Sequence, residues 1–120
     1  MIGKIFQRNF SRFILAIDEG TTSCKAVLFD SRCKPIEMVQ KSHRQITPKP
    51  GWVEHDPLEI MGNVKDCINQ VVVNAKQKHK INPKDIIATG VSNQRETTIP
   101  WVFNSIIIRA GRLGCRCIMP

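Results

Sequence analysis

The residues best suited to chemistry lie in two short stretches. Asp18-Glu-Gly-Thr-Thr-Ser-Cys-Lys25 gathers one carboxylate pair, three hydroxyls and a cation around a glycine. The apolar run Phe13–Ile17 leads into it and Ala26–Phe29 leads out, which predicts two strands joined by a tight turn. Gly20 permits a backbone that other residues resist, so successive N–H groups would point into one concavity. Thr21, Thr22 and Ser23 add hydroxyl donors, and Lys25 adds a positive charge. Such a hairpin suits a phosphate group. Asp18, ending the first strand, offers a carboxylate to a magnesium ion, directly or through water. A plain β-hairpin with a polar turn accounts for the same eight residues. No G-x-x-x-x-G-K-[ST] and no G-x-G-x-x-G occurs anywhere in the chain.

The second stretch is Gln94-Arg95-Glu96-Thr97, which follows the apolar run Ile86–Val91. That run reads as a strand buried on both faces. Residues just past the carboxyl end of such a strand occupy the usual ligand position of an α/β sheet. Guanidinium donors beside carboxylate acceptors match vicinal hydroxyls of a polyol. A solvated loop with a surface ion pair is the competing reading.

The elements that must position these residues follow in order. Asp30–Lys34 reads as a turn, and Pro35–Gln45 as an edge-type strand in which Ile36, Met38 and Ser42 alternate with Glu37, Gln40 and Lys41. Thr47–Trp52 is a loop set by two prolines and a glycine. Asp56 is a good N-cap, Pro57 fits the first helical position, and Glu59 stands as in a capping box. Leu58, Met61, Val64, Ile68, Val71, Val72 and Ala75 recur at helical spacing and predict one buried face. Lys76, Lys78, His79 and Lys80 collect at the helix end, where cations suit the dipole, and Asn82-Pro83 stops it. Thr98–Phe103 reads as one more strand, confined to an edge by Pro100, and residues 105–120 carry no assignable period. The order β-β-β-α-β is that of an α/β layer fold with a mixed sheet.

Composition narrows the classes. The 120 residues carry a net charge of +8, which invites a nucleic-acid reading. The distribution argues against it. All ten acidic residues lie between Asp18 and Glu96, and the two ends supply +6 of the +8, leaving the middle nearly neutral. No basic stripe interleaved with aromatics runs through the middle, so no nucleic-acid partner is expected. The five cysteines show no C-x-x-C and no metal-ligand spacing with His43, His55 or His79, which fits free thiols in a reducing compartment. No apolar run reaches the length of a membrane span. Residues 1–12 lack acids and place Lys4, Arg8 and Arg12 four apart. They read as a basic N-terminal extension, with a mitochondrial presequence as the alternative to a cytoplasmic location.

Together, Ile14–Ser23, Pro48–Ile60 and Gly90–Thr98 resemble the opening of the FGGY carbohydrate kinases, and within them the glycerol kinases. The resemblance implies an actin-like ATPase (ribonuclease H-like) fold, of which residues 13–101 form the first part of the N-terminal lobe. It implies ATP and magnesium as cofactors and glycerol as the small-molecule substrate, phosphorylated to glycerol 3-phosphate. It leaves open a homo-oligomer for the full-length enzyme. By resemblance, Asp18 would help hold magnesium. Thr21, Thr22, Ser23 and Lys25 would surround the nucleotide phosphates, with Thr21 also near the product. Arg95 and Glu96 would bind glycerol's hydroxyls. Glycerol kinases usually have Gln where this chain has Glu19, Ser at Cys24 and Arg at Lys25; a carboxylate at Glu19 would oppose phosphate unless it faces away. Beyond Trp101 the similarity is expected to stop, leaving 102–120 as a divergent tail, and the base of the reaction falls outside these residues. A catalytically inactive truncated product and a kinase for another polyol or sugar are the alternatives.

Overall fold

The computed structural model describes residues 12–95 and the backbone of 97–98 and 110–112. Strands β1 (Phe13–Glu19), β2 (Ser23–Phe29) and β3 (Pro35–Ser42) form an antiparallel meander. Asp30 closes its second turn: Oδ1 accepts from the N–H groups of Arg32 (2.8 Å) and Lys34 (2.9 Å), and Cys33 adopts the left-handed conformation at φ 59°. A two-residue strand β4 (Glu54–His55) precedes helix α1 (Pro57–His79). A single 3₁₀ turn, Pro83–Asp85, then leads into β5 (Ile86–Asn93), which lies parallel to β1. The main sheet has the order β3-β2-β1-β5, mixed as expected, with β3 at an edge.

Alternation along β1 and β2 decides what is buried. Phe13, Leu15 and Ile17, with Cys24, Ala26 and Leu28, face the helix and are buried. Cys67, Val71 and Ala75 of α1 complete this core, with Val64 and Ile68 at its margin. The helix begins as expected, with the Asp56 carboxylate accepting the Leu58 N–H at 2.8 Å. It ends with Lys80 in the left-handed conformation and Asn82 capping the 3₁₀ turn at Lys84 N–H.

Several expectations are corrected. Leu58 and Met61 are exposed, while Cys67 is buried. Repeated three-residue steps drift about 60° each around a helix, so Leu58–Met61–Val64 walks off the buried stripe. Glu59 accepts the Arg44 N–H at 2.8 Å, so its carboxylate ties α1 to the segment after β3 rather than closing a capping box. On β3, Gln40 shares a face with Met38, whereas Glu37, Val39 and Lys41 face the helix side. The pattern misleads because the helix side of this edge strand carries charges that α1 satisfies. Lys41 pairs with Asp66, and Glu37 with Asn74, Lys78 and His79. β5 is not buried on both faces: Ile87 is 57% and Val91 69% exposed. α1 packs over β2 and β3, so β5 has no cover among the described residues. Gly20 does not use a left-handed backbone; among the described glycines only Gly51 has a positive φ, +80°. What Gly20 provides is room, since a Cβ there would stand 3.2 Å from the Ser23 carbonyl oxygen. Residues 110–112, unassigned from sequence, form β7, which pairs with β4 and with β6 (Thr97–Thr98) in a second small sheet. Residues 1–11, Glu96, 99–109 and 113–120, which hold most of the strand expected at Thr98–Phe103, lie outside the described residues.

The Glu37 clamp carries a pH signature. The Lys78 ammonium, 3.1 Å away, is the main reason its carboxyl titrates below the usual range, with His79 and Asn74 adding to it. A carboxylate lowered by folding stabilises the fold above its unfolded pKa, and that contribution fades as pH falls through the folded value. Chemical denaturation as a function of pH is expected to show wild type losing stability more steeply than Glu37→Gln below about pH 4. Parallel curves would rule the clamp out.

Candidate functional site

Register lays the site out. Across the main sheet, Gln40, Lys25, Asp18 and Ser92 stand side by side, one from each of β3, β2, β1 and β5. Alternation places this row on the face away from α1. It lies at the carboxyl end of β1, beside the turn Gly20–Thr22. Directly opposed residues on adjacent strands hold their Cβ atoms about 5 Å apart, so a carboxylate and an ammonium are cross-strand neighbours here. Asp18 is exposed and Lys25 half-buried.

The turn itself is closed by the Gly20 N–H donating to the Ser23 carbonyl at 3.0 Å. That bond engages the Gly20 donor within the turn and takes it out of the set of N–H groups expected to line a concavity. Side chains offer further donors. Ser23 Oγ accepts from Gln40 Nε2 at 2.9 Å, which leaves its own O–H to donate outward. Thr22 is exposed, and Thr21 half-buried with a polar contact. The hydroxyls of residues 21–23 and the Lys25 ammonium form a donor set suited to phosphate oxygens.

The described residues contain no group of three side chains able to enclose a metal. Asp18 is a single exposed carboxylate. That fits magnesium, which characteristically takes one or two carboxylates and fills its remaining positions with phosphate oxygens and water.

The second stretch arrives at the same end of the sheet. Parallel pairing sets Ser92 beside Asp18 and Asn93 beside Glu19, and the Gln94 N–H then donates to the Glu19 carbonyl at 2.7 Å. Arg95 follows, exposed. Arg95 therefore continues a strand anchored to the hairpin, although that strand is an exposed one. Glu96 lies outside the described residues. Gln40 and Ser92 were not singled out from the sequence as site residues. Their signal is positional, since each stands in register with the Asp18–Lys25 pair.

Glu19 answers the question its charge poses. It lies one residue past Asp18, so its side chain points to the helix side, away from Lys25 and Asp18. There it meets His43, with Oε1 2.7 Å from Nε2.

The main sheet with its crossover helix is the opening of an actin-like ATPase lobe, the fold of the sugar kinases that superpose on it. The family model for the N-terminal domain of the FGGY carbohydrate kinases matches residues 13–109, continuing past the boundary expected at Trp101, and the chain belongs to that family. It is 40% identical over 114 residues to a glycerol kinase of Caldanaerobacter subterraneus subsp. tengcongensis, a match covering 89% of this chain and 22% of that protein. It is 47% identical over 91 residues to a glycerol kinase of Acidiphilium cryptum, covering 76% and 17%. Among solved structures, Plasmodium falciparum glycerol kinase with ADP superposes with a TM-score of 0.70 at 33% identity, covering 85% of this chain and 20% of that one. The chain thus spans about a fifth of the length of the curated relatives it matches. No helix among the described residues is long and apolar enough to cross a membrane.

The thiols beneath the site contrast sharply. Burial, then the neighbouring Cys67 and Glu19, push the Cys24 thiol up to about 12, and Cys67 Sγ donates to the Cys24 carbonyl at 3.7 Å. Cys33 is exposed in its turn. Native alkylation near pH 8, read by peptide mass, is expected to label Cys33 and to spare Cys24 and Cys67 until the chain is denatured. Labelling of Cys24 as fast as Cys33 would contradict the buried thiol pair.

Proposed function

We propose that these residues form part of an ATP-dependent kinase that phosphorylates glycerol to glycerol 3-phosphate. The observation that carries the reading is the row Gln40–Lys25–Asp18–Ser92 beside the Gly20–Thr22 turn, in a chain whose family consists of carbohydrate kinases. Phosphoryl transfer calls for charge neutralised on the moving group and a hydroxyl aligned behind it. Lys25 and the hydroxyls of Thr21, Thr22 and Ser23 serve the first need. Asp18 would hold magnesium, which when bound neutralises phosphate charge. Arg95 and Glu96 serve the second by binding the polyol's hydroxyls. Glycerol is favoured over other polyols because the curated relatives at 40% identity and above are glycerol kinases. Solved gluconate and xylulose kinases share the fold at 28% identity or less. The general base for the attacking hydroxyl is assigned to no residue of this chain.

Two outcomes test the reading in a full-length kinase carrying these residues. Arg95→Ala is expected to weaken glycerol binding by about 1.5–3 kcal/mol while leaving nucleotide affinity nearly intact, as measured by calorimetry with each ligand. Equal loss of both would remove Arg95 from the polyol site. Asp18→Asn and Thr21→Ala are expected to lower the turnover number by about tenfold or more with smaller effects on KM, since their contacts are with the moving phosphoryl group and its metal. Unchanged turnover in either variant would take that residue out of the site.

A further inference from the structure

Beneath the phosphate turn, on the helix side of the sheet, lies a polar cluster that the proposed chemistry does not use. Glu19 sits there in line with the buried Phe13, Leu15 and Ile17. Its side chain is 12% exposed, and that of His43 only 1%. A carboxylate so placed is costly without a nearby proton donor or cation. Lys25 projects from the other face, Lys41 on this face is engaged by Asp66, and the neighbouring Cys24 thiol is neutral, so His43 is the group left to match the charge. His43 Nε2 approaches Glu19 Oε1 at 2.7 Å, an ion-pair contact rather than an aligned hydrogen bond.

The neighbours of His43 decide which way its ring is used. Asn63 Nδ2 lies 3.1 Å from His43 Nδ1 and donates to the Ser42 carbonyl at 3.2 Å. The Ser42 bond fixes the amide with its NH₂ toward the ring, so Nδ1 accepts. The proton of the imidazole then sits on Nε2, facing Glu19. His55 of β4 stacks obliquely behind, ring centroids 6.2 Å apart. The ring is therefore held by α1 and β4 and directed at the hairpin.

His43 also holds the hairpin by its backbone. Its N–H donates to the Thr22 carbonyl at 2.9 Å. One residue thus grips the turn at both ends, Glu19 through the ring and Thr22 through the main chain. The Glu19 carbonyl meanwhile receives the Gln94 N–H, which links the same point to the Arg95 stretch.

We propose that Glu19 and His43 are positioning residues that clasp the Gly20–Thr22 turn from the helix side and so fix the Asp18–Lys25 face toward a nucleotide phosphate. The buried Glu19 carboxylate has its counterpart in the histidine beneath it. The proposal rests on the reading of the hairpin as a phosphate site, and its test separates the two.

The experiment is amide exchange by NMR on a full-length kinase carrying these residues, with ADP and magnesium as the probe of the hairpin. Glu19→Leu and His43→Phe are each expected to speed exchange of the Gly20 and Gln94 amides about tenfold or more relative to the amides of β2. The double variant is expected to do no more than either single one, and Glu19→Gln, which keeps an acceptor for Nε2, to retain most of the protection. ADP with magnesium is expected to shift the amide signals of residues 21–25 in wild type and to shift them less in His43→Phe. Unchanged ratios, an equal acceleration throughout β2, or additive effects in the double variant would overturn the clasp. Changed ratios with no nucleotide-induced shift in wild type would uphold the clasp and overturn the phosphate reading alone.

Discussion

The two-residue period of the β1–β2 hairpin is the constraint on which the site depends. Because side chains alternate, Asp18 and Glu19 are neighbours in sequence but point to opposite faces, as do Cys24 and Lys25. Both carboxylates on one face would repel a phosphate. Divided as they are, Asp18 stays on the exposed face and Glu19 goes down to His43. The register also sets the cross-strand row, because Asp18 opposite Lys25 carries the alignment on to Gln40 and Ser92. A slip of one residue would send Lys25 into the core and bring Cys24 to the surface.

Coverage of the sheet explains the rest of the packing. α1 lies over β2 and β3, and its clamp on Glu37 and Lys41 makes an edge strand with inward charges stable. β1 is roofed mainly by its own row of Phe13, Leu15 and Ile17 packed beside β2, and among the described residues nothing covers β5. An apolar strand such as Ile86–Val91 that meets solvent on both sides is composed for cover the described residues do not provide.

The sequence disclosed what local rules govern. The meander, the Asp56 cap, the end of α1 and the polar hairpin each announce themselves through residues close together in the chain. What it hid depends on partners far apart. Alternation on β3 misassigned Gln40 because the charges of Glu37 and Lys41 mark a helix-facing side only once Lys78 and Asp66 are known to meet them. Cys67 belongs to the buried stripe, but a thiol does not stand out as apolar in a pattern of Leu, Ile and Val. β4 and β7 are too short to show any period, and their pairing is non-local. The candidate site was readable as residue types, but its geometry was not: Gln40 and Ser92 enter it only through register.

Positions 19 and 25 have separate physical consequences, because they fall on opposite faces. Lys25 belongs to the face of the proposed phosphate site, where it offers a compact ammonium rather than the planar, bidentate fork of an arginine. Ser23 Oγ, oriented by Gln40, supplies a second directional donor next to it. Glu19 alters the support side, adding a charge that must be matched within the fold. His43, held by Asn63 and backed by His55, stands where that match is needed. An acidic residue is thus compatible with the proposed phosphate site next to it, because one residue of strand changes which side of the sheet its charge addresses.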